Sequence, residues 1–178
     1  MAISFKLRLL VSAVITTSLL ALITFSQNSK AESSLEKLRN QLRPMDIYKS
    51  PSCGCCDAWV DHLSEAGLRT RIHHPKNLDK VKRQLGISPQ YQACHTGVKS
   101  GFFFEGHIPA EVVQHFLLHK PVNAIGLAVP DMPMGSPGMD VDGSYSPYDV
   151  LQINKNGSSS IYARVSIEGI IYSKANDK

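Results

Sequence analysis

At 178 residues, with 43% hydrophobic and 19% charged residues, the chain is long enough for one domain with a real core, and too mixed to be a disordered or fibrous chain. Its formal net charge is +4, but Lys6, Arg8 and Lys30 fall in the first 31 residues with no acid beside them; the rest carries 16 basic and 15 acidic residues, a balance of +1. That balance leaves no basic footprint for a nucleic acid.

The N-terminal stretch explains the apparent basicity. Lys6 and Arg8 precede Leu9 to Phe25, seventeen residues without a charge, then a polar stretch ending at Ala31. This is a charged region, an apolar region and a small-residue cleavage site, so residues 1–31 are expected to be an export signal. The apolar run is long for a signal, which leaves an uncleaved membrane anchor as the alternative. Either way the protein is expected in the periplasm, where disulfides persist.

Ser33 and Glu36 have the spacing of a capping box and predict a helix over 32–44 that stops at Pro44. A strand, Met45 to Lys49, runs into Ser50-Pro51-Ser52-Cys53-Gly54-Cys55-Cys56-Asp57-Ala58-Trp59, which holds three of the four cysteines. Trp59, Val60 and Leu63 follow at helical spacing, and Gly67 stops the helix. A cysteine pair spaced C-x-x-C, where a strand hands over to a helix, is a thioredoxin-type redox arrangement. The helix N-terminus favours thiolate, which is both the nucleophile of disulfide exchange and a ligand for soft metals.

Leu68 to Ile72 alternates like a strand, and Asn77 caps a second helix carrying Leu78, Val81 and Leu85. Beyond Pro89 come Cys94-His95-Thr96 and a hairpin with Val98 on one side and Phe102-Phe103-Phe104 on the other. Pro109 opens a third helix, Ala110 to His119. The order strand, helix, strand, helix, strand, strand, helix predicts an α/β fold, a thioredoxin- or glutaredoxin-like core over 45–120. Residues 121–178 add a strand at Ile125 to Val129, a Pro/Gly-rich loop with Met132, Met134 and Met139, a hairpin (Tyr148 to Ile153 with Ser160 to Val165) and an edge strand. They are expected to pack as part of the same domain.

Function depends on the cysteines. Adjacent Cys55 and Cys56 cannot pair without strain, so at least one thiol of the cluster stays reactive or metal-bound. A pure oxidoreductase needs only Cys53 as nucleophile and Cys56 as resolving partner. Cys55 is then superfluous, whereas extra thiolates help to bridge Cu(I) ions. Cys94 lies in the loop that faces the C-x-x-C in such a core, where a cis-proline usually sits and where this chain has none. It either adds a fourth sulfur to a metal site or forms a disulfide with the cluster.

His107 follows Gly106 and either contributes nitrogen to the site or caps the third helix. Strand alternation would point His95 away from the cluster if Cys94 faces it, unless the loop there is irregular. Met132, Met134 and Met139 are thioethers suited to Cu(I) handover, or plain loop residues. His73 and His74 are assigned to solvent; His62, His115 and His119 are given no role. Trp59 and Phe102 to Phe104 read as core.

SPSCGCCDAW, ACHTGVKSGFFFEGHIP and GLAVPDMPMGSPGM, in this order, closely resemble the CopG-type thioredoxin-like copper-resistance proteins, long catalogued as an exported domain of unknown function. The resemblance covers about residues 45–165. It implies a periplasmic protein that binds copper through its cysteines and changes copper's oxidation state, with Cys53, Cys55, Cys56, Cys94 and His107 as metal ligands and His95 and the three methionines as weaker candidates. Two positions depart from the pattern: Asp131 stands where glycine is expected, and Asp140 where glutamate is expected.

Three functions remain in play. The chain is a copper-binding protein with Cu(I)/Cu(II) redox activity, a metal-free thiol–disulfide oxidoreductase using Cys53 and Cys56, or a passive chaperone passing copper to other periplasmic copper-handling proteins. Thiolates would also hold zinc or silver.

Overall fold

The computed structural model describes residues 32, 34–36, 38, 39, 42–140 and 142–173. The expected export signal and Ser33 of the expected capping box lie outside these residues. The chain divides into two units at Leu42/Arg43. In the first, the described residues are helical, and Arg39 pairs with Glu36 at 3.0 Å. Among the described residues no helix is long and apolar enough to cross a membrane.

The second unit is built on one eight-stranded mixed sheet. Its strands are β1 (Met45–Tyr48), β2 (Thr70–His73), β3 (Thr96–Lys99), β4 (Phe102–Glu105), β5 (Ala124–Ala128), β6 (Tyr148–Asn154), β7 (Ser159–Ser166) and β8 (Gly169–Tyr172). Their spatial order is β2-β1-β3-β4-β5-β6-β7-β8. Pairs β1/β2 and β4/β5 are parallel and the others antiparallel. The first four strands, with helices α1 (Gly54–Glu65), α2 (Leu78–Gln84) and α3 (Ala110–His119), make the thioredoxin-like core predicted from the order of elements. Strands β5 to β8 continue the same sheet past β4, so the C-terminal part extends the core laterally.

Local chemistry accounts for these boundaries. Asn77 Oδ1 accepts the Lys80 N–H at 2.8 Å, as its capping position predicts. Ser100 and Gly101 both have positive φ, the geometry of the two-residue turn that matches strand twist in the β3–β4 hairpin. The core gathers Met45 and Ile47 from β1, Trp59 and Leu63 from α1, Phe104 from β4, and Val112, Val113 and Phe116 from α3. Phe103 faces a second cluster with Ile87, Ala128 and Ile153, so the phenylalanine run serves both faces of the sheet. Trp59 is fully buried, and its Nε1 donates to the Ile108 carbonyl at 2.8 Å.

The long connection between β5 and β6 is folded on itself. Ser136, fully buried, donates through Oγ to the Pro133 carbonyl at 2.7 Å; the Gly135 N–H meets the Met139 carbonyl at 3.1 Å, and the Ser146 N–H the Met134 carbonyl at 3.0 Å. This is a self-packed loop of the kind that carries function on a rigid scaffold.

Candidate metal centre

Cys53 is the N-cap of α1, and Cys55 and Cys56 lie in its first turn. Backbone N–H groups without intrahelical partners, and the positive end of the helix dipole, therefore surround the three sulfurs. Cys53 is half-buried and bridged to fully buried Cys56, with Cα atoms 5.3 Å apart. Cys55 and Cys94 are free thiols. Cys55 Sγ lies 3.6 Å from Cys53 Sγ. Cys94 reaches the cluster from the loop before β3: the sulfurs of Cys53, Cys55, Cys56 and Cys94 all lie within 4.8 Å of one another. Of the two arrangements open to Cys94, the structure has the free thiol facing the cluster.

The two histidines beside Cys94 complete a mixed sulfur and nitrogen group. His95 Nδ1 is 3.1 Å and His107 Nε2 3.2 Å from Cys94 Sγ, and the three ligand atoms lie within 4.8 Å of one another. Of the two placements open to His95, the irregular-loop one is found, and the His95 ring turns toward Cys94. Strand β3 begins only at Thr96, so Cys94 and His95 sit in an irregular bend where side chains do not alternate. The alternative role for His107 as a helix cap fails. His62, given no role from sequence, does that work: its Nε2 accepts the first N–H of α3, from Ala110, at 2.9 Å.

Both imidazoles are set up as neutral ligands. Burial pushes His95 well below the usual histidine range, and its neighbours His107 and Lys82 push the same way. Burial also lowers His107, partly offset by its bond to Pro137. His107 Nδ1 donates to the Pro137 carbonyl at 2.8 Å, so its Nε2 carries the lone pair that faces Cys94. The His95 ring lies 4.3 Å from Trp59, tilted by 35°, and meets His107 edge-on at 4.8 Å. Its buried Nε2 has no hydrogen-bond partner. The one Cys94 thiol proton goes to the His107 Nε2 lone pair, so in the metal-free protein His95 Nδ1 donates toward the sulfur and the unpartnered Nε2 carries the lone pair. The Cys94 thiol is pushed up to about 12, first by burial and then by Cys55 beside it. It is therefore protonated in the free protein, and a metal that takes it as thiolate displaces a proton.

A buried polar network that sequence reasoning missed holds the Cys94 loop in place. Lys82 on α2 and Glu105 on β4, both almost wholly buried, form an ion pair. Lys82 also donates to the Ala93 carbonyl at 3.0 Å and Thr96 Oγ1 at 3.2 Å, while Glu105 accepts the Ala93 N–H at 2.7 Å. Both polar groups of Ala93, and the side chain just past His95, are thus tied to buried charges. Burial raises the Glu105 carboxyl, and the Lys82 ammonium, the Ala93 N–H and the Thr96 hydroxyl pull it back. The available signal was a lysine at a core-facing helix position and a glutamate ending an apolar strand. At Gly106 (φ +77), a Cβ would sit 2.4 Å from the Val129 carbonyl oxygen, so only glycine lets the chain turn from Glu105 to His107.

The methionine loop closes the site with backbone. Gly138 (φ +85) lies so near α1 that a Cβ would meet the Cys55 carbonyl oxygen at 2.6 Å, and Pro137 holds His107. Met132 is exposed, and Met134 and Met139 are half-buried. Asp131 has φ +63, which explains why a glycine is expected there. His74 is exposed, as assigned, and His73 is half-buried at the end of β2. His73 Nε2 lies 2.7 Å from Asp46 Oδ1 and its ring stacks on Tyr48 at 4.9 Å, while His74 Nδ1 lies 3.2 Å from the Lys49 carbonyl.

As bridged, the site offers the thiols of Cys55 and Cys94 with two neutral nitrogens; reduction of the Cys53–Cys56 disulfide would raise this to four sulfurs, a donor set that fits a soft or borderline ion. A family described as a protein of unknown function, DUF411, matches residues 91–139, which span Cys94, both histidines and the methionine loop. No curated protein matches the chain. Two solved structures do. One is titled copper resistance protein CopG, form 2, 35% identical, with a TM-score of 0.65 over 70% of this chain and 100% of that one. The other is form 1 of the same title, 36% identical, with a TM-score of 0.64 over 68% of this chain and 95% of that one. Identity at this level over 70% of this chain and the whole of the matched one decides the family: the protein belongs to the CopG-type copper-resistance family.

Proposed function

We propose that the protein is a periplasmic copper-binding protein that holds Cu(I), more than one ion per chain, on Cys53, Cys55, Cys56 and Cys94, with His107 and His95 as nitrogen ligands. The observation that carries this is the convergence of four sulfurs within 4.8 Å, one of them also meeting two neutral imidazoles. Four thiolates exceed what a redox pair needs, and thiolate sulfur can bridge neighbouring Cu(I) ions. Met132, Met134 and Met139 supply thioethers on the loop above for capture or handover. Zinc and silver compete for the same sulfurs.

The same centre supports electron exchange. Oxidation of the Cys53 and Cys56 thiols to their disulfide releases two electrons and two protons, and two Cu(II) ions accept the electrons to become two Cu(I). With that bridge formed, Cys55 and Cys94 are the thiolates left to favour the reduced ion, while the imidazoles tolerate both valences, and full four-sulfur loading needs the bridge reduced again.

Anaerobic loading of the mature chain with Cu(I), after reduction of the Cys53–Cys56 bridge, for wild type and Cys94→Ser, tests the site. The expected result is several copper ions on wild type, fewer on the variant, and quenching of the one tryptophan, Trp59, whose ring lies 4.3 Å from that of His95. No copper on wild type sinks the proposal, and equal loading of the variant removes Cys94 from the site. Cell fractionation tests the compartment.

The Cys53–Cys56 bridge, with Cys53 half-buried and Cys56 fully buried, favours one rival, a metal-free thiol–disulfide oxidoreductase. It requires Cys53→Ser to abolish insulin reduction and Cys94→Ser to leave it intact.

A further inference from the structure

Helix α3 starts without a cap of its own. Its N-cap is Pro109, which has no side-chain acceptor for a backbone N–H. Ala110, the first residue of the helix, is buried, so its N–H needs a partner inside the protein. That partner is His62 on α1, whose Nε2 lies 2.9 Å from the Ala110 nitrogen. Trp59 lies three residues before His62, on the same face of α1. Its Nε1 donates to the Ile108 carbonyl at 2.8 Å. Two side chains of one helix thus hold the segment that follows His107, one through a carbonyl and one through an N–H.

The His62 bond fixes a protonation state. A backbone N–H only donates, so Nε2 carries the lone pair and Nδ1 the proton. A second proton has no place to go but Nε2. An imidazolium therefore cannot hold Ala110, and the bond breaks whenever His62 is charged. The ionisable groups facing the ring come from three elements: Glu65 on α1, Glu111 on α3 and Asp140 in the β5–β6 loop. All three are acids and favour the charged ring; burial opposes it and prevails, holding His62 below the ordinary histidine value. The ring is only half-buried, so a proton has access to it.

We propose that His62 is a positioning residue for the His107 ligand and a proton-operated latch on it. Neutral, it keeps the start of α3, and with it the His107 segment, against α1; protonated at Nε2, it lets the segment go and weakens the metal centre. The effect on the metal rests on the proposed copper function, whereas the latch belongs to the metal-free chain. The sign follows from the bond. The unfolded chain takes up a proton that the latched ring refuses, so the latch is closed at neutral pH and opens as pH falls through the lowered pKa of His62. Copper is then released on acidification more steeply than proton competition at the ligands alone dictates.

Two variants separate the parts: His62→Gln offers an amide oxygen that does not titrate, and His62→Leu offers no acceptor. Amide resonances of the metal-free chain are followed from about pH 8 to about pH 5, across the histidine range. As His62 protonates, hydrogen-exchange protection of Ala110 is expected to fall about tenfold, and the Ile108 amide to shift with the same midpoint. Both responses are expected to vanish in His62→Gln. In Cu(I) competition on the reduced chain, His62→Leu is expected to bind about tenfold more weakly at neutral pH. His62→Gln is expected to recover most of that loss and to decline less steeply in acid than wild type. An Ala110 amide that ignores the His62 titration overturns the latch, and so do equal pH slopes for wild type and His62→Gln. Should His62→Leu not fold, the His62→Gln slopes still decide. A wild type that takes up no Cu(I) sinks the copper function instead, and the two amides then decide the latch alone.

Discussion

Replacing Lys82 with methionine isolates what the buried network contributes. The substitution keeps the aliphatic stem and deletes the ammonium that meets Glu105, Thr96 and the Ala93 carbonyl. Glu105, with no solvent exposure, is left as an unpaired carboxylate. Breaking a buried pair from one side costs about 3–5 kcal/mol. With a urea m-value of about 2 kcal/mol/M, the unfolding midpoint falls by about 1.5–2.5 M. Burial already raises the Glu105 carboxyl, and loss of Lys82 removes the strongest opposing influence, so the variant takes up a proton on folding. A carboxyl raised in the folded state contributes most below its unfolded pKa and loses that contribution as pH rises through the folded one. The defect in Lys82→Met is therefore expected to shrink on acidification from neutral pH. Lys82→Met with Glu105→Leu removes both charges and should recover much of the loss, leaving the orphaned Ala93 N–H at about 1–3 kcal/mol. Urea melts across pH, paired with Cu(I) competition, read both consequences: the single variant should also hold copper more weakly, because the Cys94 loop loses its tether. A midpoint within about 0.3 M of wild type, or a double variant as unstable as the sum of the singles, would refute the reasoning.

Four further predictions follow from the geometry. Gly138→Ala should cost about 1–2 kcal/mol for the left-handed backbone and about 1–3 for overlap with the Cys55 carbonyl, lowering both the melting temperature and copper retention. Asp131→Gly, at φ +63, should be neutral or stabilising by up to about 1 kcal/mol in a denaturant melt, since relief of strain outweighs added unfolded-state entropy. The Asp46 carboxyl is held below its ordinary range chiefly by hydrogen bonding to Arg71. Its stabilisation is present above the ordinary carboxylate pKa and lost as pH falls through the lowered one, so Asp46→Asn should flatten the acid limb of the stability curve, at less than about 1 kcal/mol. Finally, Cu(I) uptake at neutral pH should release at least one proton per chain, because Cys94 is raised to about 12, and apparent affinity should climb with pH; calorimetry in buffers of different ionisation enthalpy measures this.

Much of the scaffold was legible in the chain because its signals are local. The spacing of Trp59, Val60 and Leu63, the Asn77 cap and Pro109 before Ala110 each depend on a few neighbouring residues, and the order of elements then admits few topologies. The approach of Cys94 to the cluster was legible through the fold, since the loop before the third strand faces the first helix in such a core. The placement of His95 stayed open in the sequence because alternation holds only within a strand, and β3 begins one residue later. The Lys82–Glu105 pair was missed because two charges 23 residues apart become partners only after burial leaves each no other.

Sequence alone determined the cysteine motif at a helix start, the α/β order and the family likeness, all carried by residues close together in the chain. Tertiary structure alone decided which atoms meet. His107 faces Cys94 because Pro137, thirty residues away, takes its other nitrogen; Gly138 fits because α1 leaves no room for a Cβ; and Cys94 is held by charges on α2 and β4. Burial and hydrogen-bond partners are properties of the packed chain, and they set the protonation of Cys94, His95 and His107.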